Sequence, residues 1–182
     1  MKYIRLMLLL SVLIITVGCT TMSPNYQESV ENVKILQSAN ASKVEVGKFT
    51  GKLEAEELSA RGSTFKSPYS SLYSDYIREA VRMEIERAGL LDSVSPTVIE
   101  GILEQNVTDA GIITGSQQIR VRFTVRKSKG IVYDKTISVK NEWESSFMGA
   151  VAIPRAQNAF PATVTMLLEK LFTDHQFISA IQ

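Results

Sequence analysis

Three arginines crowd one short stretch, "QQIRVRFTVRK", where Arg120, Arg122 and Arg126 fall on one side of an alternating segment. Such a stripe could hold an anion. Arginines in this pattern more commonly pair with acids on the neighbouring strand, at roughly 0.2–1 kcal/mol each, and that is the expectation here. The stretch "ARGSTFK" carries a glycine, a threonine and a lysine but lacks the spacing of a phosphate-binding loop. His175 is the only histidine, so histidine pairs on a metal and histidine-rich metal sites are excluded. Glu142 and Glu144 flank Trp143 as surface partners, and Glu54, Glu56 and Glu57 sit in a long connection. No convergent set of groups forms, so no catalytic, cofactor or metal residue is assigned and the chain does not read as an enzyme. The 182 residues carry a net charge of +1, without the basic excess that nucleic acid binding needs. One reactive side chain remains. Cys19 is the only cysteine, and it ends the apolar run "LLLSVLIITVGCT". A lone cysteine cannot close an internal disulfide, so its chemistry lies elsewhere.

The N-terminal context supplies that chemistry. Lys2 and Arg5 precede an apolar core from Leu6 to Val17. A membrane-spanning helix needs roughly 20 apolar residues, so this shorter core reads as a secretory signal. Gly18 directly before Cys19 resembles the lipobox of bacterial lipoproteins, with Thr16 where that motif usually has leucine. The resemblance implies cleavage after residue 18 and acylation of Cys19, which becomes the first mature residue. One acyl chain holds a protein only marginally, whereas several on one cysteine anchor it durably. In lipoproteins of enteric type an aspartate after the cysteine commonly signals retention at the inner membrane. Thr20 in that place implies the outer membrane, periplasmic side. Loss of residues 1–18 removes Lys2 and Arg5 and leaves 18 basic against 19 acidic side chains.

The elements that would carry these groups follow from hydrophobic spacing. Residues 19–42, beginning "CTTMSPNYQESVEN", are polar and read as a tether, with one globular domain over 43–182. "KVEVGKFT" alternates as a first strand, and residues 51–70 form a long connection. Tyr73, Ile77, Val81, Ile85 and Ala88 recur at helical spacing, with Ser70 or Ser71 to cap the start and Gly89 to end the helix. Three strands follow. The first places Ile99, Leu103 and Val107 on one side, with Gly101 admitting a close-packed helix. The second buries Ile119, Val121, Phe123 and Val125, and the third groups Ile131, Tyr133, Ile137, Val139 and Trp143. A three-residue loop, Ser128-Lys129-Gly130, pairs Val125 with Tyr133 and Val121 with Ile137, whereas a two-residue loop would break the facing pattern. A last amphipathic helix, with Phe160, Val164, Leu167, Leu168 and Leu171 inward, starts near Asn158 so that Pro161 falls in its first turn. The fold class is α+β: a two-layer sandwich of about four mainly antiparallel strands with two helices on one face, in the order β-α-β-β-β-α.

The lipobox, "RAGLL", "VIEGILEQNV", "IRVRFTV" and "LLEKLFTDHQF" together resemble small proteobacterial lipoproteins of the YajG type and, more distantly, lipoprotein subunits assisting outer-membrane assembly and transport. The resemblance implies an α/β sandwich at the outer membrane, without catalysis, and carries over no functional residue except Cys19. The function expected is therefore that of an accessory module that binds another envelope protein. A carrier of lipid, small molecule or glycan is the alternative. Candidate contact residues are Ile112 and Ile113 in "DAGIITG" and Phe147 at the start of a small, apolar stretch ending at Ile153.

Overall fold

The computed structural model describes residues 20–182; Cys19 and the segment before it lie outside the described residues. The described residues form two sheets and four α-helices. β1 (Thr20–Met22), β3 (Leu58–Ala60) and β4 (Ser63–Lys66) form a small sheet in the order β1-β4-β3, with β1 parallel to β4. β2 (Glu45–Gly51), β5 (Val98–Asp109), β6 (Thr114–Lys127) and β7 (Gly130–Glu144) form the large sheet in that order. β2 runs parallel to β5 and the rest is an antiparallel meander. Helices α1 (Val30–Ser38), α2 (Tyr73–Arg87), α3 (Gly149–Phe172) and α4 (His175–Ile181) complete the fold. The class is the α+β sandwich expected, with α2 and α3 over the apolar face of the large sheet. The element order is richer than β-α-β-β-β-α, because the small sheet, α1 and α4 are added to it.

The alternation in β6 sets the core. Ile119, Val121, Phe123 and Val125 are all fully buried, as are Ile77, Val81 and Ile85 of α2 and Phe160, Val164, Leu167, Leu168 and Leu171 of α3. Val125 pairs with Tyr133 and Val121 with Ile137, the register derived from the sequence. The loop itself differs. Pairing continues to Lys127 and Gly130, so only Ser128 and Lys129 are unpaired, and a register shift next to Val125 absorbs the extra residue. Gly130 has φ +126°, a conformation that a side chain would disfavour. Because of that shift Ile131 turns to solvent instead of joining Tyr133.

A second bulge, between Leu103 and Gln105, changes another assignment. One extra residue exchanges the faces of everything beyond it. Val107 is exposed and Asn106 takes the buried place, donating to the Ala55 carbonyl and accepting from Gln117. Gly101 admits a ring and not a helix: a Cβ there would overlap Phe49 of β2.

Residues 20–42 are packed on the domain rather than standing off as a tether. Tyr26 and Leu36 are buried in the main core. Ser29 caps α1 by accepting from the Asn32 N–H at 3.3 Å. Much of the 51–70 connection is ordered too, as a short 3-10 turn and the β3–β4 hairpin, which buries Leu58, Ala60 and Phe65. Neither Ser70 nor Ser71 caps α2. The cap is Glu56 from that connection, whose Oε2 accepts from the N–H groups of Tyr73 (2.5 Å) and Ser74 (3.0 Å) and suits the positive helix end. The far end closes as expected beyond Arg87, with Leu90 N–H on Ile85 O and Gly89 N–H on Glu86 O.

α3 begins at Gly149, well before Asn158, and holds both Pro154 and Pro161 inside it. Each proline removes one helical hydrogen bond. The two are seven residues apart, on the stripe opposite Ala152, Ala156 and Phe160, so the helix keeps its packed face intact. The segment that begins at Phe147 is thus the entry to α3 and not an aperiodic connection.

Candidate functional site

The side chains with chemical potential are dispersed and mostly occupied in structure. Arg122 makes a two-pronged ion pair with Asp134 (2.6 and 2.5 Å) and Arg126 pairs with Glu100 (2.5 Å), whereas Arg120 lies exposed. Two of the three arginines are therefore cross-strand partners of acids, and hydrogen bonding from Arg122 holds Asp134 below the usual carboxylate range. Glu142 pairs with Lys140 at 2.6 Å. His175 is an exposed residue at the start of α4. Among the described residues no group of three His, Cys, Asp or Glu side chains is arranged to hold a metal ion.

The deepest carboxylate is Glu84 on α2, fully buried. Its Oε1 accepts from Tyr26 Oη (2.6 Å), Ser29 N–H (2.9 Å) and Asn32 Nδ2 (3.4 Å). Burial pushes its pKa up, against the opposing pull of these donors. Tyr73 and Tyr76 add further ties to the N-terminal segment, to Ser23 Oγ (2.7 Å) and the Pro24 carbonyl (2.8 Å). All of this clamps residues 23–32 to α2. Nothing in the sequence pattern singled out Glu84, since an acid at helical spacing among apolar residues normally reads as surface.

A different grouping forms at one end of the large sheet. The β5–β6 turn presents Ile112 and Ile113, and the entry to α3 presents Phe147 and Met148; they are 63%, 78%, 79% and 62% exposed. Arg61, in the tight β3–β4 turn with φ +49°, joins the two segments. Its guanidinium donates to the carbonyls of Ala110 (2.7 Å), Gly111 (2.9 Å) and Phe147 (3.0 Å). Ser145 N–H closes the seam on the Ile113 carbonyl at 2.7 Å. Arg155 donates to the carbonyls of Glu144 (2.8 Å) and Ser145 (3.3 Å) just behind it. The three candidate contact residues thus share one tip, to which the structure adds Met148 and the organising Arg61. Only a hairpin reading of "LSARGSTFK" would have located Arg61.

Thr20 enters the domain at the same end. It pairs with Thr64, one residue past the first residue of β4, and β1 runs parallel to that strand. The start of β1 therefore lies beside the Arg61–Gly62 turn. Gln157 Nε2, two helical turns into α3, donates to the Met22 carbonyl, which fixes the direction of β1 away from the tip.

No family model matches the chain, and no curated protein is significantly similar to it. The architecture is nonetheless found among solved structures. Protein XCC0632 from Xanthomonas campestris, of the family DUF330, superposes with a TM-score of 0.56 at 12% identity, over 88% of this chain and 96% of that one. The two share a fold. A Caulobacter crescentus protein described as a lipoprotein superposes at 0.46, with 15% identity over 83% of this chain and 96% of that one. A minor lipoprotein from Acinetobacter baumannii gives 0.40, with 10% identity over 72% and 90%. In the present chain that fold carries the apolar tip at the end where Thr20 begins.

Proposed function

We propose that this chain is a non-catalytic lipoprotein of the YajG type, held by acylated Cys19 on the periplasmic side of the outer membrane. It serves there as an accessory interaction module of the cell envelope, with Ile112, Ile113 and Phe147 as a contact surface. The observation that carries this reading is the junction at Thr20. The residue directly after the lipobox cysteine is already paired in a sheet, so an anchor on Cys19 is joined to a rigid body and orients it. The buried polar groups support the same reading, since Glu84, Tyr26 and Tyr73 are engaged in holding the N-terminal segment. A carrier would need an internal cavity. The space between α2 and α3 is instead occupied by Phe160, with its ring centroid 4.7 Å from Tyr73 and 4.8 Å from Tyr76.

The test is metabolic labelling with a fatty-acid analogue. Wild type should incorporate label, and Cys19→Ser should not, leaving an unprocessed precursor or a soluble periplasmic form. Equal labelling of both would refute the anchor.

A further inference from the structure

Resting on the lipoprotein reading above, we infer that Ile112, Ile113, Phe147 and Met148 dock onto the lipid leaflet in which the Cys19 acyl chains sit. Position is the first ground. Thr20 pairs with Thr64, and the register places the start of β1 beside the Arg61–Gly62 turn. Arg61 is in turn bonded to both segments that make the tip. Consecutive Cα atoms lie about 3.8 Å apart, so the acylated residue and the tip belong to one end of the molecule. A partner protein approaching that end would have to displace the leaflet.

Chemistry is the second ground. Lipid tolerates exposed side chains of this kind but not unpaired backbone groups. At this tip the carbonyls of Ala110, Gly111, Ile113 and Phe147 are already paired within the chain, three by Arg61 and one by Ser145. Those four carbonyls need no further donor, while the N–H groups of Ile112 and Ile113 have no partner among the described residues, which keeps this backbone at the level of the headgroups. The exposed side chains are large, aliphatic or aromatic, and uncharged. Asp109 and Glu144, at the strand ends behind them, are exposed carboxylates and set a limit on depth, so the tip enters only the headgroup and upper acyl region, about 5–10 Å. Four side chains would bind a membrane weakly from solution. Linked to an anchor, the same contact becomes intramolecular and is favoured by the high effective concentration.

Cys19 is the only native cysteine, so once it is acylated an introduced cysteine is the single free thiol. Full-length Ile113→Cys, produced in a lipoprotein-processing host, would be labelled with the environment-sensitive fluorophore NBD. It would then be reconstituted in vesicles of phosphatidylethanolamine and phosphatidylglycerol. The expected result is a severalfold rise in emission relative to the detergent-free domain surface reported by Lys129→Cys, with strong quenching by spin-labelled acyl chains. Lys129→Cys, on the opposite hairpin, should stay water-like and unquenched. If Ile113→Cys carries the fatty-acid label but remains water-like on vesicles, the inference falls while the anchor stands. Shielding of the same probe only in native envelopes would also overturn it, in favour of a protein partner. Absence of the fatty-acid label would remove the lipoprotein reading and this inference together.

Discussion

The two ends of the long meander differ in what they offer to the surroundings. At one end the β6–β7 hairpin turns through Ser128 and Lys129, two exposed polar residues, with Gly130 relaxing the bend. At the other the β5–β6 turn and the α3 entry expose four large apolar side chains, braced by an arginine from a separate sheet. Turns are usually polar because their backbone faces water. Ile131 and Val132 beside the polar hairpin are exposed too, but within a strand; the turn that is itself apolar lies at the end where the chain enters β1. The two ends of one rigid element thus present different chemistry to the surroundings.

The body between the ends should dominate stability. Leu168 is fully buried against the sheet, and Leu168→Ala should cost ~2–5 kcal/mol by lost transfer energy and the cavity left behind. Chemical denaturation measures it, and a change within error would mean that α3 does not couple the two ends. Arg61→Ala should have a smaller effect, about 1–3 kcal/mol, because it leaves three carbonyls at the tip without a donor. Lys129→Ala at the other end should stay within about 0.5 kcal/mol. Equal values for these two variants would erase the structural distinction between the ends.

Two carboxylates should give opposite pH slopes. Burial raises the pKa of Glu84, so its contribution is full below the ordinary glutamate range and is lost as pH rises through the folded pKa. Asp174, near the hairpin end, is held below its ordinary value: partial burial pushes it up, but Lys135 at 2.6 Å and the Gln176 N–H outweigh that. Its contribution is present above the ordinary aspartate range and is lost as pH falls. Glu84→Gln should therefore gain on wild type as pH rises, and Asp174→Asn should lose. Melting curves across the acid range check both signs. The smallest effect belongs to the tip side chains themselves. Ile112→Ser with Ile113→Ser should move stability by no more than about 0.5 kcal/mol, and a large fall in melting temperature would return both residues to the core.

The meander and the packed stripes of α2 and α3 were legible because period and register are carried by consecutive side chains. The exceptions have identifiable causes. The bulges beside Glu104 and Val132 each add one residue, which reverses the facing of Val107 and Ile131 without any mark in the pattern. Pro161 suggested a helix start, yet it lies on the outer stripe of a helix whose inner stripe packs continuously from Ala152 to Leu171. The N-terminal segment looked like a tether because its ties are polar and distant in sequence: Tyr26 to Glu84, Tyr76 to Pro24. The candidate contact residues Ile112, Ile113 and Phe147 were legible as apolar side chains between elements. Their convergence was not, since it depends on Arg61 reaching across from another sheet.

The most direct measurement is energy transfer from the two ends to the bilayer. β6 has 14 residues, which at roughly 3.3 Å each separates its ends by about 45 Å. Acylated full-length Ile113→Cys and Lys129→Cys would each carry a donor, with acceptor dye on the lipid headgroups. The expected result is efficient transfer from position 113 and weak transfer from position 129. Equal transfer from both would contradict the account, because the domain would then have no fixed end toward the membrane.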